Sequence, residues 1–166
     1  KILSTEDFST PTIHAHDLEN GFLLLDDFGD KLFLQSVAST DTDILYKEAL
    51  SVLAKMQTCS NNGHGLPVFD KEYMQQELAL FKEWFIEKYL GITLDKNELE
   101  IVSNTFNWLT SEISSQPKSF VHKDYHSRNI MIINSENQST AKLGIIDYQD
   151  AMHGPFTYDL VSLLKD

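Results

Sequence analysis

The sequence is almost without arginine: of its thirteen basic residues Arg128 alone is an arginine, set against 25 acidic residues and a formal charge of −12. No basic face exists to displace counterions from phosphates, so nucleic acid is excluded as an expected partner. The acidity admits a cationic substrate, but it reads first as a well solvated surface. Cysteine is reduced to Cys59, which can form no internal disulfide and fits a reducing compartment as a partly buried structural thiol. No apolar run approaches the roughly 20 residues that would span a bilayer, and Lys1-Ile2-Leu3-Ser4 leads into no secretory core. The expectation is a soluble, cytoplasmic protein with no membrane partner. The seven glycines form no phosphate-cradling loop ahead of a strand, and Gly63-x-Gly65 follows a helix and lacks the spacing.

What is present is a chain with 42% hydrophobic and 11% aromatic residues, enough to bury one core. Pro11 to His16 and Gly21 to Leu25 flank a turn-prone stretch and predict a β-hairpin in which Asn20-Gly21 supply the positive φ angles. The second strand leads into the acidic turn Asp26-Asp27-Phe28-Gly29-Asp30. Leu45, Ala49, Leu53 and Met56 have helical spacing after a cap at Thr40 or Asp41, and the stretch Asn61 to Pro67 ends that helix. A second helix is expected from Asp70 to Gly91, with Met74, Leu78, Phe81, Phe85 and Tyr89 as its apolar stripe. A third starts at Asp95, with Glu98 in capping-box spacing, buries Leu99, Val102, Phe106, Leu109 and Ile113, and is closed by Pro117. Trp84 and Trp108 are expected in the core or a lid.

Beyond Pro117 the order is strand, charged loop, strand, the polar turn Asn134 to Thr140, and a strand from Lys142 to Ile146. Gly154-Pro155 is expected to open a last helix, with proline at an early helical position. That helix is still strongly apolar at Leu163-Leu164, so the chain is expected to be a fragment of a longer protein.

The charged loop organises the rest. Phe120-Val121 and Ile130 to Ile133 are β-prone on either side of eight polar or ionisable residues, which pins His122, Asp124 and Asn129 at strand ends. Phosphoryl transfer needs a divalent metal to offset charge on the nucleotide and a carboxylate beside the acceptor hydroxyl. His122, Asp124, Asn129 and Asp147 supply that set, and hard oxygen ligands from Asn129 and Asp147 suit magnesium.

The pattern His122-x-Asp124-x4-Asn129, followed by Ile146-Asp147, resembles the catalytic and metal-binding loops of the protein-kinase-like superfamily. Histidine at 126 is similar to the aminoglycoside phosphotransferase and choline kinase branch, which acts on small molecules. The strings Val121 to Met131 and Ile146 to Leu164, with Glu77 to Phe85 and Gly21 to Asp27, look closest to the anomeric N-acetylmuramate/N-acetylglucosamine kinases of bacterial cell-wall recycling.

This resemblance implies an α+β, protein-kinase-like fold. Residues 1–29 would be the end of the N-terminal lobe, with its hairpin and hinge. Residues 30–166 would form most of the helical C-terminal lobe. The implied activity is ATP-dependent, Mg2+-assisted phosphorylation of a small-molecule sugar, with aminoglycosides or choline-like compounds as alternative acceptors. Asp124 would be the catalytic base, Asn129 and Asp147 the metal ligands, His122 a prop for the loop, and His126 a neighbour of the transferred phosphate. Asp159 would accept hydrogen bonds from the loop backbone. The Asp26 carbonyl and Phe28 amide would meet adenine, and Arg128, Gln149 and Asp150 are candidates for the sugar. The first strands of the small lobe, with its phosphate loop and lysine, would lie outside this sequence, so the fragment is not expected to turn over ATP by itself.

Two other readings stand beside this one. His122-x-Asp124-x-His126 also matches part of a metallohydrolase cluster, which would need further ligands from elsewhere. A nucleotide-binding module that lost catalysis is the other, and the intact Asp124, Asn129 and Asp147 stand against it.

Overall fold

The computed structural model describes Leu3 and residues 8–38, 42–59, 65–133 and 142–166. The expected cap at Thr40 or Asp41, most of the stretch from Asn61 and the turn Asn134 to Thr140 lie outside the described residues. Among the described residues six strands and five α-helices follow one another as β1 Ile13–Asp17, β2 Phe22–Leu25, α1 Phe33–Val37, α2 Thr42–Thr58, α3 Lys71–Leu80, α4 Lys96–Ser114, β3 Lys118–Val121, β4 Ile130–Ile133, β5 Lys142–Ile145, β6 Met152–Pro155 and α5 Tyr158–Lys165. The strands form three antiparallel pairs, β1 with β2, β3 with β6, and β4 with β5.

The hairpin is present, but its turn differs from the two-residue form. Asp17 pairs with Phe22 across a four-residue loop, and only Gly21 there has a positive φ, of 75°. The Asp17 carboxylate accepts from the backbone and side-chain nitrogens of Asn20, which holds the loop closed without a left-handed asparagine.

Helix α2 buries the four residues its periodicity named, Leu45, Ala49, Leu53 and Met56. They join Phe33, Phe120, Tyr125, Ile130, Ile132, Leu143, Ile145 and Leu163 in the main core, which also buries Cys59. A second, smaller cluster gathers Phe69, Met74 and Met152.

The helical hairpin is less buried than its stripes suggest. Asp70 caps α3 by accepting from Tyr73 N, and Asp95 and Glu98 form a reciprocal capping box on α4. After Leu80, however, the chain continues as a π-wound segment, Phe81–Tyr89. Its ion pairs Lys82–Glu87 and Glu83–Lys88 span five residues instead of four, and Phe81, Phe85 and Tyr89 stack on one another. Tyr89 is 79% exposed. On α4 only Thr110 is fully buried, and Leu99 is exposed. Trp84 and Trp108, at 58% and 61% exposure, lie outside the core, and Trp84 stacks under the Lys88 ammonium. A 3.6-residue period records which side chains share a face and leaves open what covers that face.

The clearest departure is at Gly154-Pro155, which belongs to β6 and opens no helix. Lys118 pairs with Pro155 and Val121 with Met152, while His153 N donates to Pro67 O and Phe69 N to His153 O. This run therefore lies between β3 and the lead-in to α3, and a strand-end proline forfeits no ladder bond. Helix α5 starts only at Tyr158, after Thr157.

Candidate active site

The loop between β3 and β4 is held from four directions. From below, Asp159 of α5 accepts His122 N at 2.7 Å and Lys123 N at 3.1 Å. Seven residues later Asp166 accepts Ser127 N at 2.9 Å and also takes the Ser127 hydroxyl. From α2, the carbonyl of Ala49 accepts the Tyr125 hydroxyl at 2.8 Å, burying that ring in the core. From α1, Leu34 N donates to Ser127 O. From α3, Tyr73 and Glu77 take the Lys123 ammonium. Ser127, Tyr125 and His122 are buried while Asp124 and Arg128 face solvent, so supports and functional groups point opposite ways.

Within the loop, His126 N donates to Asp124 O and Asn129 N to His126 O, two tight turns that bring Asn129 back beside Asp124. Asn129 Nδ2 donates to Asp124 O at 3.1 Å and lies 3.4 Å from Asp147 Oδ2. Strand β5 delivers Asp147 because Ile146 N bonds Asn129 O. Asp147 has a φ of 64°, a left-handed backbone that swings its carboxylate toward Asn129. Gln149 donates to Asp147 Oδ1 at 2.6 Å, and Asp150 is exposed beyond it.

These residues fit a magnesium ion. Asn129 and Asp147 lie side by side, with Asn129 Nδ2 donating to the Asp124 carbonyl and, at 3.4 Å, to Asp147 Oδ2, and one carboxylate with one amide oxygen suits an ion that completes its shell with phosphate oxygens and water. The histidine-rich alternative does not assemble. His122 is fully buried with Nε2 on Ile146 O at 3.1 Å, and among the described residues no three His, Cys, Asp or Glu side chains gather around one point. Desolvation lowers the His122 pKa and keeps it neutral, as a prop inside the core. Its Nδ1 and that of His126 are buried and have no partner among the described residues.

Asp26 closes β2. Its carboxylate accepts Thr12 N at 2.9 Å and contacts His14 Nε2 at 2.6 Å, and these bonds, with Thr12 first, hold its pKa down to about 2. The Phe28 ring packs on Gly144 of β5, where an added Cβ would lie 2.6 Å from Phe28 Cδ2. Thus the turn carrying Asp26 and Phe28 touches the strand pair that delivers Asn129 and Asp147.

Sequence reasoning missed three supports. Asp166 falls two helical turns after Asp159, so its place on the same face of α5 was available from spacing. Tyr125 was the one aromatic residue inside a polar loop. The pairing of Lys123 with Glu77 spans 46 residues and left no local signal.

The model of the phosphotransferase enzyme family matches residues 1–166. This chain belongs to that family. It is 37% identical over 165 residues to the N-acetylmuramate/N-acetylglucosamine kinase of Pseudomonas putida, covering 99% of this chain and 47% of that protein. It is 38% identical over 156 residues to the enzyme of the same name from Pseudomonas aeruginosa, covering 94% and 44%. Among solved structures, the GDP complex of aminoglycoside 2'-phosphotransferase-IIIa superposes with a TM-score of 0.66 at 18% identity, over 99% of this chain and 57% of that one. The fold is the protein-kinase-like fold of these phosphotransferases, and the chain spans about half the length of the relatives it matches. No helix among the described residues is long and apolar enough to cross a membrane.

Proposed function

We propose that the full-length protein is a cytoplasmic kinase that transfers the γ-phosphoryl group of ATP to the anomeric hydroxyl of N-acetylmuramate or N-acetylglucosamine during peptidoglycan recycling. The observation that carries this reading is that Asn129 bonds the Asp124 backbone carbonyl and reaches the Asp147 carboxylate, with Asp124 and Asp147 both exposed above a buried support. The identity to relatives of that name supports the choice of acceptor.

Asp124 orients the acceptor hydroxyl and takes its proton as the oxygen attacks the γ-phosphorus; the bond to the β-phosphate oxygen breaks and ADP leaves. Asn129 and Asp147 would hold Mg2+, and the ion would offset charge on the phosphates. His126 lies beside the transferred group. Residues 1–29 form the end of the N-terminal lobe and 30–166 the helical lobe, with the Asp26 carbonyl and Phe28 amide pairing with adenine. Arg128, which is exposed on the loop, meets the lactyl carboxylate of N-acetylmuramate in a forked, charge-assisted pair in this reading, with Gln149 and Asp150 as further sugar contacts. Arg128 is the cation that this loop turns to solvent, since Lys123 is paired with Glu77, and it favours an anionic acceptor over polycationic aminoglycosides.

The test is steady-state phosphorylation of both sugars and of kanamycin by the full-length protein with ATP and magnesium. Asp124→Asn is expected to lower kcat at least about a hundredfold with KM little changed. Near-normal turnover would remove Asp124 from its role, and preferential use of kanamycin would overturn the amino-sugar assignment.

A further inference from the structure

Lys123 stands next to Asp124 in a backbone conformation that only glycine adopts without cost, at φ 79°. A lysine kept there must contribute through its side chain. That side chain does not run into solvent: it is 16% exposed, and its ammonium donates to Tyr73 Oη at 2.8 Å and to Glu77 Oε1 at 2.9 Å. The ammonium also lies 4.8 Å from the Tyr73 ring centroid and 5.8 Å from that of Phe69. Burial alone would pull the pKa of Lys123 down, but Tyr73 and Glu77 outweigh it and hold it above its ordinary value.

Tyr73 and Glu77 are one helical turn apart on α3, so both face the loop. The base of α3 is itself fixed, since Phe69 stacks edge-on with Tyr73 and Tyr158 and its amide bonds His153 of β6. Among the described residues the Asp124 carboxylate has no hydrogen-bond partner, so only the backbone on either side aims it. On one side that backbone is the Lys123 peptide, gripped by Asp159 through its amide and by α3 through its side chain.

We propose that Lys123 is a positioning residue for Asp124: its ammonium, held by Tyr73 and Glu77, ties α3 to the left-handed peptide that aims the carboxylate. The catalytic consequence rests on the phosphotransfer reading above, whereas the tether itself does not.

The test uses three variants of the full-length protein. Lys123→Gly relaxes the backbone and removes the tether, Lys123→Arg keeps a cation, and Glu77→Gln keeps the lysine without its ion pair. Lys123→Gly is expected to lower kcat about tenfold to a hundredfold, because small misplacements of a catalytic group are costly, with KM for both substrates unchanged. Its Tm should not fall, and Lys123→Arg should restore most of the turnover. Hydrogen exchange at the His126 and Asn129 amides, whose bonds lie inside the loop, should become about tenfold faster in Lys123→Gly. If the wild type phosphorylates no acceptor, the functional reading fails and the exchange rates alone decide the tether. Unchanged exchange in Lys123→Gly would overturn the proposal, as would retained kcat in an active enzyme or a loss confined to KM. If Lys123→Gly does not fold, Glu77→Gln decides by the same readouts, with smaller losses expected.

Discussion

At the scale of single residues, the support of the loop conflicts with the cost of its charge. Asp159 is 1% exposed, and desolvation raises its pKa to about 6 even though two backbone amides favour its ionised form. A folded-state pKa above the unfolded value of 3.8 means that ionisation is disfavoured in the native protein. Stability from this group is therefore full below about pH 4 and declines as pH rises through about 6, by about 3 kcal/mol. Removing the carboxylate has the opposite fault, since Asp159→Ala leaves two buried donors unpaired at about 1–3 kcal/mol each. The prediction is that Asp159→Ala lowers Tm at every pH, and that its deficit relative to the wild type widens as pH falls from 7 to 4.5. Thermal melts across that range check it. A deficit independent of pH would mean that Asp159 is ionised throughout and that its amides outweigh its burial.

At the scale of elements, what was legible depended on how local the signal was. The stripe of α2, the helix start at Asp70, the capping box at Asp95 and the strands around the loop are set by neighbours within a few residues, and they stand where the sequence put them. The strand β6 was misread because proline after glycine suits a helix start as well as a strand end, and the deciding bonds come from Pro67, Pro117 and Lys118, far away in the chain. Close packing at that point makes a prediction. An added Cβ on Gly154 would lie 2.7 Å from Phe69 Cβ, an atom next to the backbone that no rotamer change can move away. Gly154→Ala is expected to cost about 1–3 kcal/mol by forcing the lead-in to α3 off β6. Denaturant unfolding measures it, and a neutral result would show that this segment yields freely.

At the scale of the whole molecule, the candidate site is an assembly of three separate strand pairs and four helices, none of which holds it alone. The motif His122-x-Asp124-x4-Asn129 with Asp147 was legible as a spacing, but its convergence depends on Ile146 bonding Asn129 and on the left-handed Asp147, which are tertiary facts. If this convergence holds Mg2+, nucleotide and metal binding should be linked in the full-length protein. A non-hydrolysable ATP analogue at a hundredfold excess over its Kd stabilises a protein by about 2.7 kcal/mol, and any tightening by metal adds to that. Magnesium should therefore raise Tm further when the analogue is present and little when it is absent. Asn129→Ala and Asp147→Asn should each abolish the magnesium increment while keeping the increment of the analogue alone, because the proposed adenine contacts are at Asp26 and Phe28. Asparagine is the informative choice at 147, since it tolerates the left-handed backbone and removes only the charge. Variants that keep the full magnesium increment would place the metal on other residues, and loss of the analogue's own increment would mean that Asn129 and Asp147 shape the nucleotide site and do more than hold its ion.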